Sequence, residues 1–508
     1  MNPSSRRVVT IAILLTCSFA FSQTKSSLSP ELRTERYMNS VHENIPLLTA
    51  FLREMPKGGD LHYHLSGGIY AETMIPWSAD AKLCVETTAL QLVSPPCNEA
   101  AGNVPTESAL GDPVLYRRMV DAWSMRNWQL SGQSGHDHFF DTFSKFGAAD
   151  DGHTGDMLAE VEQRAALNRE LYQELMFTPD NGRVAAVGKQ VGWIEDFKTM
   201  RETLLANGLI DAVEVGRKNI DAAEKQRDAD LQCGTDKADP ACNVAQHFIY
   251  QVLRGIPRQM VFAQILAGFE MASRDPRVVG FNLVMPEDYY VPMHDYDLHM
   301  RIIDFLKPLY PKVHITLHAG ELAPGLVPPD GLTFHIREAV EKGHAERIGH
   351  GVDVMEEDHP IDLLKEMAKH NVMVEINLTS NDVILGVKGK EHPLATYLKY
   401  GVPVALSTDD EGVSRSDLSM EYVKAVVDQG LTYTQLKSMA RTSLEHAFIA
   451  GGSLWRDQHN YLRVKECALD RPAAEKLSEK CTAYLHANQR ANLQWELEKQ
   501  LAEFETRW

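Results

Sequence analysis

The sequence predicts an α/β fold, a (β/α)8 barrel of the TIM type. Three observations lead there. Eight short apolar runs recur along the chain, at 59–64, 171–177, 248–253, 278–283, 313–318, 347–350, 373–376 and 402–408. Most lack polar alternation, as expected of parallel strands buried on both faces. Amphipathic stretches with helical spacing, such as 333–342 and 361–370, separate them. Residues able to do chemistry gather where these runs end, and a barrel of this type builds its site at the C-terminal ends of its strands.

The elements follow in chain order. Arg6 and Arg7 precede an apolar stretch at 8–21 that is short for a membrane span, and Ala20-Phe21-Ser22 is a small-x-small cleavage site. Residues 1–22 therefore read as a signal peptide, and 23–58 as an N-terminal helical segment. The barrel is expected over 59–429, with insertions at 69–153 and 211–243, the first of them helical. Residues 430–508 read as a helical extension. These additions account for a length of 508 residues, against about 250 for a minimal barrel. In the extension, Leu493, Leu497, Leu501 and Phe504 form an apolar stripe at helical spacing. Packing on the core is its first reading and a homodimer contact the alternative.

Seven cysteines are present. Cys17 lies in the signal, and the others fall as neighbours: Cys84 with Cys97, Cys233 with Cys242, and Cys467 with Cys481. Six cysteines allow 15 pairings, of which the three short local loops are the simplest. Disulfides and a signal both point to a secreted or periplasmic protein. The formal charge of −19 repels nucleic acid and anionic membrane surfaces. It favours a small neutral or cationic substrate. No membrane contact is expected after signal removal.

Five segments carry the chemistry: Asp60-Leu61-His62-Tyr63-His64, His318-Ala319-Gly320-Glu321, Ile348-Gly349-His350-Gly351, Asn377-Leu378-Thr379-Ser380-Asn381 and Ser407-Thr408-Asp409-Asp410. Four follow an apolar run and the fifth begins at the end of one. His62 and His64, two apart on a strand, leave the same face. Alone, the pair also fits two ordinary polar residues. Several imidazoles and a carboxylate meeting at strand ends suit a borderline cation such as Zn²⁺.

In these motifs the chain resembles the adenosine deaminases of the metal-dependent amidohydrolase superfamily. Ser124-Met125-Arg126 with Ser134-Gly135-His136-Asp137-His138-Phe139-Phe140 resembles the secreted, growth-factor-related branch. The matching motifs run from about Lys57 to Asp410. The resemblance implies one Zn²⁺ per chain held by His62, His64, His318 and Asp409, and a purine nucleoside as small-molecule substrate. It further implies Glu321 as the acid that protonates ring atom N1, His350 as the group that orients the attacking water, and Asp410 as the partner of purine N7. Ser66 stands where relatives often place an aspartate at the ribose. Met285 stands where a glycine usually offers its N–H to purine N3. These two departures leave open a different 6-aminopurine substrate, or a non-catalytic extracellular protein that binds nucleosides or signals. No His-x-Glu with Pro-Cys-x-x-Cys occurs, which excludes the cytidine deaminase type of zinc site.

Overall fold

The computed structural model describes residues 28–474 and 476–508. The expected signal peptide, with Cys17, lies outside the described residues. Eight parallel strands follow one another around a single sheet in chain order. They are β1 (Gly58–His64), β2 (Glu170–Phe177), β3 (Ala245–Leu253), β4 (Val278–Val284), β5 (His314–Ala319), β6 (Arg347–His350), β7 (Met373–Ile376) and β8 (Val404–Leu406). All eight expected runs are present, shifted by up to three residues at their ends. The last meets the first at the top of the barrel. There His64 N–H donates to Asp409 O at 3.0 Å and Asp409 N–H to His62 O at 2.9 Å. The barrel thus closes on residues that the sequence marks as metal ligands.

The N-terminal segment forms helices α1 (Pro30–Val41) and α2 (Ile45–Glu54), capped by Ser29 and Asn44 and each carrying proline in its first turn. The first insertion carries the expected helices and, in addition, a small sheet. Helix Ala71–Asp80 is followed by a small antiparallel sheet of Cys84–Glu86 between Leu92–Val93 and Asn103–Pro105, closed by the Cys84–Cys97 disulfide. Its strands are two or three residues long, too short to show a periodicity. Helix α3 (Gly135–Phe146) then returns to the barrel. Helix α4 (Arg258–Arg274) follows β3 and buries an unbroken run from Val261 to Met271, packing against β3, β4 and neighbouring helices.

Helix α5 (Leu378–Leu385) starts directly at the end of β7. The extension begins with α6 (Tyr433–His446), entered through a capping box of Thr432 and Gln435. It also differs from the all-helical expectation: Trp455–Asp457 pairs with Leu462–Arg463 as a hairpin. Its turn is built by the Asp457 carboxylate, which accepts the N–H groups of His459 and Asn460. Helix α7 (Gln489–Glu505) places Leu497 and Leu501 against Leu61, Leu171, Met373 and Ala405 of the barrel. Phe504 packs against Phe51 of α2 and Tyr433 of α6. The apolar stripe is buried within this chain. Cys233–Cys242 and Cys467–Cys481 are also disulfides.

Candidate metal centre and active site

His62 and His64 occupy the last turn of the pleat of β1, His318 the end of β5, and Asp409 the residues just past β8. Their ligand atoms converge. His62 Nε2 lies 3.1 Å and His64 Nε2 3.2 Å from His318 Nε2. Asp409 Oδ1 lies 3.4 Å from His62 Nε2 and 3.3 Å from His64 Nε2. Each imidazole has an acceptor at its other nitrogen. His62 Nδ1 is 2.6 Å from Glu375, His64 Nδ1 3.0 Å from Gln251 Oε1, and His318 Nδ1 2.9 Å from Asn282 Oδ1. Protons placed on the Nδ1 atoms leave three Nε2 lone pairs facing one point, with a carboxylate oxygen beside them. Such a group is costly to bury without a cation at its centre. A tetrahedron with ligand bonds of about 2.0–2.1 Å has edges of about 3.3–3.4 Å, which the observed spacings match. The four residues therefore fit a zinc ion.

Local packing fixes this geometry. Gly349 abuts the His62 ring: a Cβ there would stand 2.5 Å from its Cε1. Asp409 has φ +65°, His350 φ +68° and Met285 φ +86°. All three hold the left-handed region that glycine favours, at the rim where the site lies. Ser380 Oγ donates to Asp409 Oδ2 at 2.7 Å, fixing the second carboxylate oxygen.

His350 is fully buried and sits between the metal ligands and Glu321. Its Nδ1 is 3.7 Å from Glu321 Oε1 and its Nε2 is 3.9 Å from Asp409 Oδ2. Burial drives its pKa down to about 3, so the ring is neutral. A relay sets its tautomer. Leu394 N–H donates to His392 Nδ1, His392 Nε2 donates to Asn381 Oδ1, and the Asn381 amide donates to His350 Nδ1 at 3.0 Å. The His350 proton then sits on Nε2, toward Asp409.

Glu321 is buried, and its N–H donates to Glu287 at 2.8 Å. Burial raises its pKa well above the usual carboxylate range, and the charges of Asp409 and Glu287 add to this. Both effects favour the neutral carboxylic acid over the carboxylate. Asp410 is raised in the same way by burial and by Asp409, and its Oδ1 is buried without a hydrogen-bond partner. The surroundings shift the two adjacent aspartates in opposite directions, Asp409 down and Asp410 up, which suits a metal ligand and a hydrogen-bond donor.

These groups open on a cavity of about 280 Å³, walled by Phe139, Phe140 and Phe143 of α3 and by Met285, Pro286 and Tyr289. Ser66 and Gln251 line it and also line a larger neighbouring chamber of about 730 Å³. All nine site residues expected from the sequence lie in or around this one space. Sequence reasoning missed Glu375, Gln251, Asn282, Glu287 and His392. A fully polar side chain inside an apolar strand, as in Met373-Val374-Glu375-Ile376, is a signal that could have found the first. Glu375 also accepts from Thr316 and from Arg347, which is bound in turn to Glu174. Arg347 and His62 hold Glu375 below its ordinary pKa against the effect of burial.

Residues 221–453 match the family model described as adenosine deaminase. An adenosine deaminase of Yersinia pseudotuberculosis is 37% identical over 139 residues, covering 27% of this chain and 38% of that enzyme. One of Salmonella heidelberg is 39% identical over 140 residues, 27% of this chain and 39% of that enzyme. The chain thus spans little more than a third of the length of the curated relatives it matches. Among solved structures, an N6-mAMP deaminase of Arabidopsis superposes with a TM-score of 0.53 at 20% identity, covering 79% of this chain and 96% of that one. An adenine deaminase of Arthrobacter aurescens gives 0.50 at 17% identity, over 78% and 94%. These two likenesses concern the fold. The five motifs and the family model matched over residues 221–453 agree, and over this part the chain is similar to the adenosine deaminase family.

Proposed function

We propose that this protein is a zinc-dependent hydrolase that deaminates adenosine, and 2′-deoxyadenosine with it, to the inosine product and ammonia outside the cytoplasm. The observation that carries the reading is the meeting of a four-ligand cation site with two buried carboxyl groups, Glu321 and Asp410, on one small cavity. Zinc held by His62, His64, His318 and Asp409 would supply Lewis-acid activation of a water molecule. The chain's own groups do the rest. Asp410 donates to purine N7 and orients the base. Glu321 delivers its proton to N1, so that electrons can leave the C6=N1 bond as oxygen adds at C6. His350, neutral and donating from Nε2, orients the water, whose proton ends on the leaving amine. Phe139, Phe140 and Phe143 form an apolar wall that shields the base from water.

Three local disulfides support an oxidising compartment, in accord with the signal peptide read at 1–22. A second reading is a deaminase of another 6-aminopurine. It is favoured by Met285, whose side chain lines the cavity, and by the names of the solved relatives, which act on N6-mAMP and adenine. The remaining alternative, a nucleoside-binding protein without catalysis, has less support because the acid, the proton relay and the ligand set are all intact.

The test is turnover of adenosine, 2′-deoxyadenosine, adenine, AMP and N6-methyl-AMP by purified protein with zinc quantified. About one zinc per chain and preference for the nucleosides are expected. Glu321→Gln should lower kcat by about 10²–10⁴-fold with zinc retained. Active protein without metal, or near-normal turnover in Glu321→Gln, would refute this mechanism.

A further inference from the structure

The motif Ser134 to Phe140 lies in the first insertion, far in sequence from the ligands, yet α3 walls the cavity with three phenylalanines. Opposite them runs the short loop 285–289. Four of its five residues touch the site. Met285, Pro286 and Tyr289 line the cavity, and Glu287 holds the N–H of Glu321. Asp288 turns away and meets α3: its Oδ1 is 3.0 Å from His136 Nε2. The other imidazole nitrogen, Nδ1, is 3.1 Å from Asp137 Oδ1. Both nitrogens are thus engaged by carboxylates.

The neighbours of this pair extend the link to the cavity wall. The His136 ring meets Phe140 edge-on at 4.8 Å, and Phe140 faces Tyr289 at 6.4 Å between centroids. The far side of the helix is anchored differently. His138 Nε2 reaches the carbonyls of Asp121 and Ser124, and Met125 N–H donates to Val413 O beside the barrel rim. Gly135 bears directly on α5, where a Cβ would stand 1.8 Å from Val383 O. These contacts fix the base of α3, while His136 reaches the loop that carries the substrate wall and steadies the acid. The His136 side chain is 9% exposed and that of Asp288 16%. This is not a solvated surface pair, whose energetic worth would be near zero.

We propose that His136 is a positioning residue. Through Asp288 it clamps α3 against loop 285–289 and so closes the aromatic wall over the purine. The proposal rests on the deaminase reading, because the cavity it closes is the purine pocket. In this arrangement the insertion is part of the binding site, and its link to the barrel sets affinity for the base without touching the reacting atoms. The carboxylates of Asp288 and Asp137 favour the imidazolium, holding its pKa above the ordinary value against the effect of burial. The link is therefore a charge-assisted hydrogen bond.

The experiment uses the full zinc-loaded chain with His136→Leu, His136→Gln, Asp288→Asn and the double variant His136→Leu/Asp288→Asn. Steady-state kinetics with adenosine, calorimetric binding of inosine and hydrogen exchange over 135–146 are measured. His136→Leu should raise KM for adenosine and Kd for inosine by about tenfold or more, as loss of a bond to a charged group implies, with kcat within about twofold. His136→Gln, which can still donate, should recover part of the loss, and the double variant should be no worse than His136→Leu alone. Amides of α3 should exchange faster while those of β5 to β8 do not change. Unchanged KM and Kd in His136→Leu would overturn the clamp. So would a parallel fall of kcat, affinity and melting temperature, which marks a merely structural role. Wild-type protein that neither turns over adenosine nor binds inosine would overturn the deaminase reading and the clamp together.

Discussion

Met285 holds an unusual position for a side-chain-bearing residue. Its φ of +86° is a conformation that glycine adopts freely and that costs other residues of order 1 kcal/mol or more. The side chain recovers part of this by packing over Gly255, whose N–H points at Met285 Sδ at 3.3 Å. The same side chain occupies the wall of the cavity beside the metal centre. Met285→Gly should therefore relieve strain and widen the pocket at once. The expected outcome is a lower KM for adenosine, looser ranking among purine nucleosides and an unchanged kcat, read from steady-state kinetics. Identical KM and ranking would show that Met285 does not touch the substrate. Ser66 and Asp410 show a complementary lesson about placement. Gly67 lies between them against the Asp410 carboxyl, where a Cβ would stand 1.6 Å from Oδ1, so the turn after β1 has room for backbone alone.

Among the elements, the additions to the barrel are each tied down by a short covalent loop. Cys84–Cys97 closes the small sheet of the first insertion, with a sequence separation of 13. Cys233–Cys242, separated by 9, braces the turn after helix Leu209–Asp230. Cys467–Cys481, separated by 14, ties the hairpin region to helix Glu479–Ala487. Both sulfur-bearing residues of the last pair are buried with Leu454, Trp455 and Trp495. In the chain-entropy picture loops of this size contribute about 2–3 kcal/mol each. Non-reducing peptide mapping should recover these three pairs. Cys467→Ser/Cys481→Ser should lower the melting temperature and speed proteolysis of the tail while leaving kcat intact. Crossed pairs or free thiols would contradict the assignment.

For the molecule as a whole, burial of carboxyl groups predicts how stability varies with pH. Glu421 is fully buried behind α5, accepting from Thr379 N–H and from Ser416 Oγ, and burial raises its pKa from 4.5 to about 7. Glu357 is raised to about 7 for the same reason. In the unfolded chain both ionise at their ordinary values. Their contribution is then fully present below about pH 4.5 and is lost as pH rises through about 7. Glu421→Gln, which stays neutral, should flatten the fall of melting temperature between pH 5 and 8 measured by calorimetry. A slope equal to that of the wild type would show that Glu421 is ionised in the folded protein.

By itself the sequence determined the barrel and the reacting groups, because both leave local marks. A strand buried on both faces is an unbroken apolar run, and a site residue placed at its end follows that run directly, as in Ile348-Gly349-His350 and Ser407-Thr408-Asp409. The two-residue spacing of His62 and His64 already puts them on one face. Tertiary structure decided what depends on elements distant in the chain. Glu375 reaches His62 across the barrel floor, Asn381 and His392 set the tautomer of His350, and α3 closes the pocket opposite loop 285–289. It also decided the short strands of the first insertion and the tail hairpin, whose two or three residues carry no periodicity. Above all it decided protonation. Glu321 and Asp409 carry the same functional group in the sequence; burial favours the neutral form of one, while the other is set among three ligand imidazoles and the Ser380 hydroxyl, where a cation would hold it charged.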